Sequence, residues 1–314
     1  MASPGQPPNV RGGFFSRLEF AAIRRLERTL SPDAFHQLVA LFVRIRRPVK
    51  GPRPMIPLPD CLQSAGNQVL SVREKRVADY FNRVLEFFPD QLSSPKWRDR
   101  VEFDGLEHLA SARKNKKPIV LAFCHFGPFF LLRPWLRVAG FPAVSLIRGQ
   151  SEIRPRWKRL ADAVSPFPEI PPAFYQDQLR ELVGFLRSGN PLLIALDVET
   201  GKQLEVPFDD QWHIRVASGP IRLAIHHEAE LLPCSITDQG RWRFRIKVCP
   251  PVPQEFLRAG QEAQAVKRII ETLLPEIRAH PEQCAPRVLN LFQPSAPAKN
   301  SATPPAYADP MAAR

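Results

Sequence analysis

Two residues in this chain have the type and the setting for proton transfer. His125 follows an all-apolar run at 119–123, and Asp197 follows another at 192–196. Short apolar runs bounded by turn signals are what the strands of a covered sheet look like. In open α/β sheets, ligands sit at the carboxyl ends of such strands. A neutral imidazole placed there can take a proton from a substrate hydroxyl. It needs an acid to hold its tautomer, and Asp197 is the carboxylate expected to face the same pocket. Glu199 and Glu152 are further acids to weigh. The structural alternatives are a helix-capping or core histidine, and an aspartate that caps a turn.

The elements that must position these residues follow from pattern. Gly127-Pro128 turns the chain after His125, and 129–138 reads as a helix. A turn at 140–142 leads to a strand at 143–147, and Ser188-Gly189-Asn190 closes a helix over 176–187. Gly219-Pro220 opens a helix through His226-His227; strands follow at 231–235 and 241–248, then an amphipathic helix at 261–279. Strands alternating with helices predict an α/β fold with a mixed, mainly parallel sheet flanked by helices. Upstream, Ser16 and Glu19 have capping-box spacing, with Phe15 and Phe20 as a hydrophobic staple. A second helix runs to Arg47 and carries Phe35, Leu38, Val39, Phe42, Val43 and Ile45, with Arg44, Arg46, Arg47 and Lys50 at its end. An apolar face with a basic flank fits a helix lying in a membrane interface. A core-packing helix with cations at its C-terminus fits equally. The expected organisation is a disordered start (1–15), amphipathic helices resting on a membrane (16–50), a Pro-rich linker (51–71), one α/β domain (72–293) and a disordered tail (294–314).

Composition narrows the partners. With 44 Lys+Arg against 31 Asp+Glu, the formal charge is +13, which suits an anionic membrane or an acidic protein. No zinc-finger spacing or RNP-type aromatic motif is present, so nucleic acid is not expected. Five scattered cysteines without CxxC spacing predict free thiols and no zinc site. Cys124 beside His125 is read as a small buried residue rather than a nucleophile. The longest apolar run near the N-terminus, 38–43, is far below the roughly 20 residues a membrane span needs. The expected location is therefore the cytoplasmic side, soluble or peripheral at a membrane.

Several motifs then occur in order. Residues 101–109 (VEFDGLEHL) precede a basic turn and the strand to Gly127; 140–148 and 188–197 follow. Val206-Pro207-Phe208, a helix and turn over 219–233, and His280-Pro281-Glu282-Gln283 close the series. Together they resemble the lipid A biosynthesis acyltransferase family (late lauroyl and myristoyl transferases) of the lysophospholipid acyltransferase-like superfamily, over about residues 76–292. That family carries H-x4-D/E, in which the acid supports the histidine. Here the acid's position is Phe130, and Pro128 replaces the usual asparagine. Asp197 is the expected substitute. His226-His227 resembles an H-H-x-x-x-D start, but Leu231 stands where its acid belongs, and the pair is expected mid-helix without a catalytic role.

The resemblance implies transfer of a fatty acyl group from acyl carrier protein or acyl-CoA to a hydroxyl of a lipid or glycolipid. His125 would act as base with Asp197 orienting it, and backbone donors near Gly127 would hold the oxyanion. Arg148, Arg154 and Arg159 would bind substrate phosphates. No metal or redox cofactor is called for. The competing reading is a family member that kept the fold, lost the motif acid, and binds lipid or scaffolds other proteins.

Overall fold

The computed structural model describes residues 22, 25–46, 55–63, 69–71, 75, 78, 81–82, 95–147, 167, 169–171, 173–175, 177–199 and 201–295. The strands, in chain order, are β1 (Met55–Pro57), β2 (Val69–Ser71), β3 (Val101–Asp104), β4 (Ile119–Phe123), β5 (Val144–Ile147) and β6 (Ala173–Tyr175). They continue as β7 (Pro191–Ala195), β8 (Gln203–Pro207), β9 (Trp212–Ala217), β10 (Glu230–Asp238), β11 (Phe244–Val248) and β12 (Phe292–Pro294).

Seven of them form the central sheet, in the order β3-β11-β10-β4-β7-β5-β6. Every neighbouring pair is parallel except β10 with β11. This is the mixed, mainly parallel α/β sheet expected from the sequence. The two all-apolar runs, β4 and β7, lie side by side in its centre and are buried throughout. Both faces of a central parallel strand are covered, so neither strand needs a polar face.

Successive side chains alternate between the two faces. Val120, Ala122 and Cys124 join a core with Leu192, Ile194 and Leu196, under the helices Leu179–Arg187, Gly219–His227 and Glu262–Ala279. Ile119, Leu121 and Phe123 join the opposite core with Leu193 and Ala195. That second core is closed by Leu132, Trp135 and Leu136 of the helix Leu132–Val138, and by Leu109 and Ala112 of the helix Leu106–Lys114.

Several local expectations are revised. Val101–Asp104, for which no strand was expected, is an edge strand paired to β11, its Val101 and Phe103 turned inward and its acids outward. The segment 51–71 holds the antiparallel pair β1–β2, and Leu58, Cys61 and Leu62 between those strands are buried in the main core. Arg278 also donates its Nε–H to the Cys61 carbonyl at 2.8 Å, so this stretch is part of the domain. Within 201–208, β8 belongs to a separate antiparallel sheet of order β12-β9-β8. Pro294, expected in the tail, pairs there with Trp212.

The helix Pro32–Arg46 packs its Phe35 and Val39 into the protein against Trp97 and Trp242. Arg100 pairs with Asp33 at its first turn, and Trp97 Nε1–H donates to buried Glu27 at 2.8 Å. The apolar face read as membrane-facing is thus divided: Phe35 and Val39 are core, whereas Leu38 and Leu41 are exposed. The capping box at Ser16 and Glu19 lies outside the described residues. Among the described residues no helix is long and apolar enough to cross a membrane.

Candidate functional site

Sheet register brings His125 and Asp197 together. β4 and β7 pair in parallel from Ile119↔Pro191 to Phe123↔Ala195. The ladder runs on past the last named pair, with Leu196 N–H donating to the Phe123 carbonyl at 2.8 Å. His125 and Asp197 are separated by 72 residues, the same offset as every pair in that register. They are therefore cross-strand partners just beyond the strand ends. Their odd-numbered positions place both on the face of Leu121, Phe123, Leu193 and Ala195.

At this point the two side chains bond. His125 Nδ1 lies 2.7 Å from Asp197 Oδ1, and the His125 backbone N–H donates to Asp197 Oδ2 at 3.0 Å. Both carboxylate oxygens thus serve one residue. The Asp197 side chain is fully buried, and that of His125 is 13% exposed. A buried carboxylate accepting at Nδ1 holds the proton on that nitrogen and leaves Nε2 as a base. It also stabilises the imidazolium once Nε2 takes a proton.

The His125 carbonyl is held as well, by the N–H of Ala285 at 2.9 Å. Phe126 bridges Cys284, and Gly127 N–H donates to the Gln283 carbonyl at 3.0 Å. The closing His280-Pro281-Glu282-Gln283 segment is thus laid along the histidine turn. Gly127 has φ +57°, and a Cβ there would come within 2.2 Å of the Ile236 carbonyl oxygen of β10. Only glycine fits a left-handed backbone pressed so closely on a strand. The Gly127 N–H itself is thus already bonded, so an oxyanion there would draw on other backbone donors near it.

Two phenylalanine rings lie against the imidazole. The Phe129 ring meets it edge-on with centroids 4.3 Å apart, and Phe123 lies at 5.6 Å. Phe130 packs on Phe129 at 5.8 Å and is buried in the core beside Leu131 and Trp135. Phe130 is therefore one ring removed from the histidine, and the acid of the resembled motif has no equivalent in this helix.

The other candidates separate clearly. Glu199 is exposed. Cys124 lies on the opposite face of β4, fully buried, and burial pushes its thiol pKa well up, with the Asp197 charge adding to this. All five cysteines are buried and unpaired. Burial raises the Cys61 thiol to about 12 and the Cys249 thiol to about 11, so these are inert small apolar residues at neutral pH. His226 and His227 stand in the last turn of their helix rather than in its middle, and Leu231 is core. Among the described residues no group of three His, Cys, Asp or Glu could hold a metal ion. Arg148, Arg154, Arg159 and Glu152 lie outside the described residues.

Sequence reasoning missed the hold that Gln283 has on the turn. Its amide accepts the Asp238 N–H at 2.9 Å and donates to the Asp238 carbonyl at 2.8 Å. A buried glutamine in a short motif was the only available signal.

Residues 170–285 match the family model of the bacterial lipid A biosynthesis acyltransferases. The match supports the acyltransferase family that the motifs resemble, and a lipid acyltransferase as the class of protein. It includes Asp197 and Gln283 but begins after the His125 turn, where the chain departs from H-x4-D/E. Among solved structures, the chain is similar to the 1-acyl-sn-glycerophosphate (LPA) acyltransferase, PlsC, from Thermotoga maritima. Identity is 15% and the TM-score 0.39, over 84% of this chain and 98% of that one. No curated protein matches the chain.

Proposed function

We propose that the protein transfers a fatty acyl group from a thioester donor, acyl carrier protein or acyl-CoA, to a hydroxyl of a lipid or glycolipid, in lipid A-type biosynthesis. One observation carries this reading: the 2.7 Å contact between His125 Nδ1 and buried Asp197 at the carboxyl ends of adjacent central strands. His125 Nε2 takes the acceptor's hydroxyl proton as the oxygen attacks the thioester carbonyl. An ester C–O bond forms and the C–S bond breaks. The imidazolium then returns its proton to the leaving thiolate, so no group is consumed. Asp197 keeps the imidazole in the correct tautomer and offsets its transient charge.

The proposed setting is the cytoplasmic face of the inner membrane, with the chain held peripherally. The +13 charge and the exposed Leu38 and Leu41 of an N-terminal helix support that setting. Arg148, Arg154 and Arg159 are proposed to meet phosphates of the donor or acceptor.

The test is ester formation by purified protein, with acyl carrier protein and CoA donors and lipid acceptors, comparing wild type with His125→Ala. Loss of at least a hundredfold in turnover is expected for removal of the base, from the usual range for acid–base catalysis of about 10²–10⁴. Equal rates in the two proteins overturn the mechanism. Lipid binding by wild type without transfer to any acceptor favours the non-catalytic reading instead.

A further inference from the structure

The two groups that hold His125 from outside its own turn are unequal. Asp197 touches the imidazole directly. The second hold runs through the segment 280–285, which touches only backbone: the His125 carbonyl by Ala285 N–H, and the Gly127 N–H by the Gln283 carbonyl. That segment is held to β10 by a polar side chain, beside the burial of Cys284 in the main core. The buried Gln283 amide closes a two-bond pair with the backbone of Asp238, at the end of β10. Its Oε1 lies at the position where a Gly127 Cβ would have its second contact, at 3.1 Å. β10 is also the neighbour of β4 on the side away from Asp197. The His125 turn is therefore gripped between β7, through Asp197, and β10, through Gln283.

We propose that Gln283 is a positioning residue for His125. Its amide docks the 280–285 segment on the end of β10, and the segment fixes the peptide groups of 125–127 so that Nδ1 stays in line with Asp197. The amide is suited to this because it both donates and accepts; a carboxylate or an apolar side chain of the same length cannot make both bonds. This rests on the reading of His125 and Asp197 as a working pair. A positioning role predicts an effect on the imidazole itself, which can be measured with or without turnover.

The experiment uses the full chain labelled with ¹⁵N-histidine. The ring nitrogen resonances of His125, assigned by their loss in His125→Ala, report where the ring proton sits and how it is bonded. Asp197→Asn supplies the signature of a broken pair. Gln283→Met is expected to move the His125 resonances toward that signature. It is expected to lower kcat by about tenfold or more with KM nearly unchanged, since small misplacements of a reacting group cost up to about 10²-fold. In a His125→Ala background, Gln283→Met should add no further loss, because the residue acts only through the ring. Gln283→Glu, which retains the bond to the Asp238 N–H and loses the other, should fall between; it serves alone if Gln283→Met does not fold. Wild-type ring resonances in a folded Gln283 variant overturn the proposal. So does an equal fold-loss in the His125→Ala background, which marks a purely structural role. Wild-type turnover by His125→Ala itself refutes the catalytic reading and leaves the positioning claim to stand or fall on the ring resonances.

Discussion

Asp197→Asn is the most informative single change, because the site's geometry dictates where its proton must go. Asp197 presents one oxygen to the His125 backbone N–H at 3.0 Å and the other to Nδ1 at 2.7 Å. The backbone N–H can only donate. It therefore selects the asparagine carbonyl oxygen and turns the asparagine NH2 toward Nδ1. An NH2 is a donor, so Nδ1 must become the acceptor and the ring proton moves to Nε2. A neutral imidazole with its proton on Nε2 cannot take a proton from the acceptor hydroxyl. The side chain remains isosteric and hydrogen-bonded, yet the base is disabled. The corresponding exchange in the serine-protease triad lowers kcat about 10⁴-fold. A similar loss is expected here, which is about 5 kcal/mol of transition-state stabilisation at 1.36 kcal/mol per tenfold. Asp197→Ala is diagnostic beside it. It removes the hold but leaves the tautomer free, so its loss should be smaller than that of the isosteric change. The assay is initial-rate acyl transfer with saturating donor, alongside thermal unfolding to show that the variant is folded. An Asp197→Asn protein that unfolds like wild type and turns over within tenfold of it refutes the dyad.

Three further outcomes are expected. Phe130→Glu restores an acid to the position the resembled motif uses, but Phe130 is 8% exposed and packs among Leu131, Trp135 and Phe129. An unpaired charge there should destabilise by about 3–5 kcal/mol, read by denaturant unfolding, without raising the transfer rate. Asp238 has its carboxyl raised to about 6, by burial first and against the hydrogen bonds from Gly240 and Trp242 N–H. A raised folded-state acid stabilises the protein most when protonated, so its contribution is complete below pH 3.8 and is lost as pH rises through about 6. Stability should therefore fall across that window by up to about 3 kcal/mol from this group, and Asp238→Asn should flatten that part of the unfolding-versus-pH curve. Leu38 and Leu41 are 36% and 53% exposed, on a helix whose Phe35 and Val39 are buried. Replacing both leucines by serine should weaken co-sedimentation with anionic vesicles at least about tenfold, from about 1.5–3 kcal/mol per fully buried leucine, and leave the melting temperature unchanged.

The parts of the fold that sequence makes legible are those whose pattern is local. β4 and β7 stand out because both their faces are covered, and five buried residues in a row leave no other reading. His125 and Asp197 are visible for the same reason, as the first polar groups after each run. The pieces that escaped are short or defined by distant partners. β6 is three residues flanked by prolines and glutamine, too brief to show alternation. β8 and β9 are half exposed and carry their buried positions sparsely, at Val206, Ile214, Val216 and Ala217. The apolar face of Pro32–Arg46 left two readings open because hydrophobicity alone does not distinguish a membrane from Trp97 and Trp242. The Gln283 hold depends on Asp238, 45 residues away, and on a glycine that admits the close approach.

Phe130 at the position of the resembled motif's acid does not by itself rule out the proposed chemistry, and the reason lies in parallel-strand register. An acid five residues after the histidine must reach back from a helix. An acid at the same register position on the next strand is already beside the imidazole, because a parallel ladder spaces strands by about 4.8 Å and faces cross-strand side chains the same way. The offset of 72 residues holds from Ile119↔Pro191 through to His125 and Asp197, so no special loop conformation is needed to form the pair. What the helix position then requires is apolar bulk to close the core under Phe129, which Phe130 supplies. An acid at 130 would add a second buried carboxylate to the core that Phe123 and Ala195 share with Phe130, and like charges in one low-dielectric core repel. On that reasoning Phe130→Glu should be worse tolerated in wild type than in an Asp197→Asn background, and equal destabilisation in both would show that the two positions do not share a site.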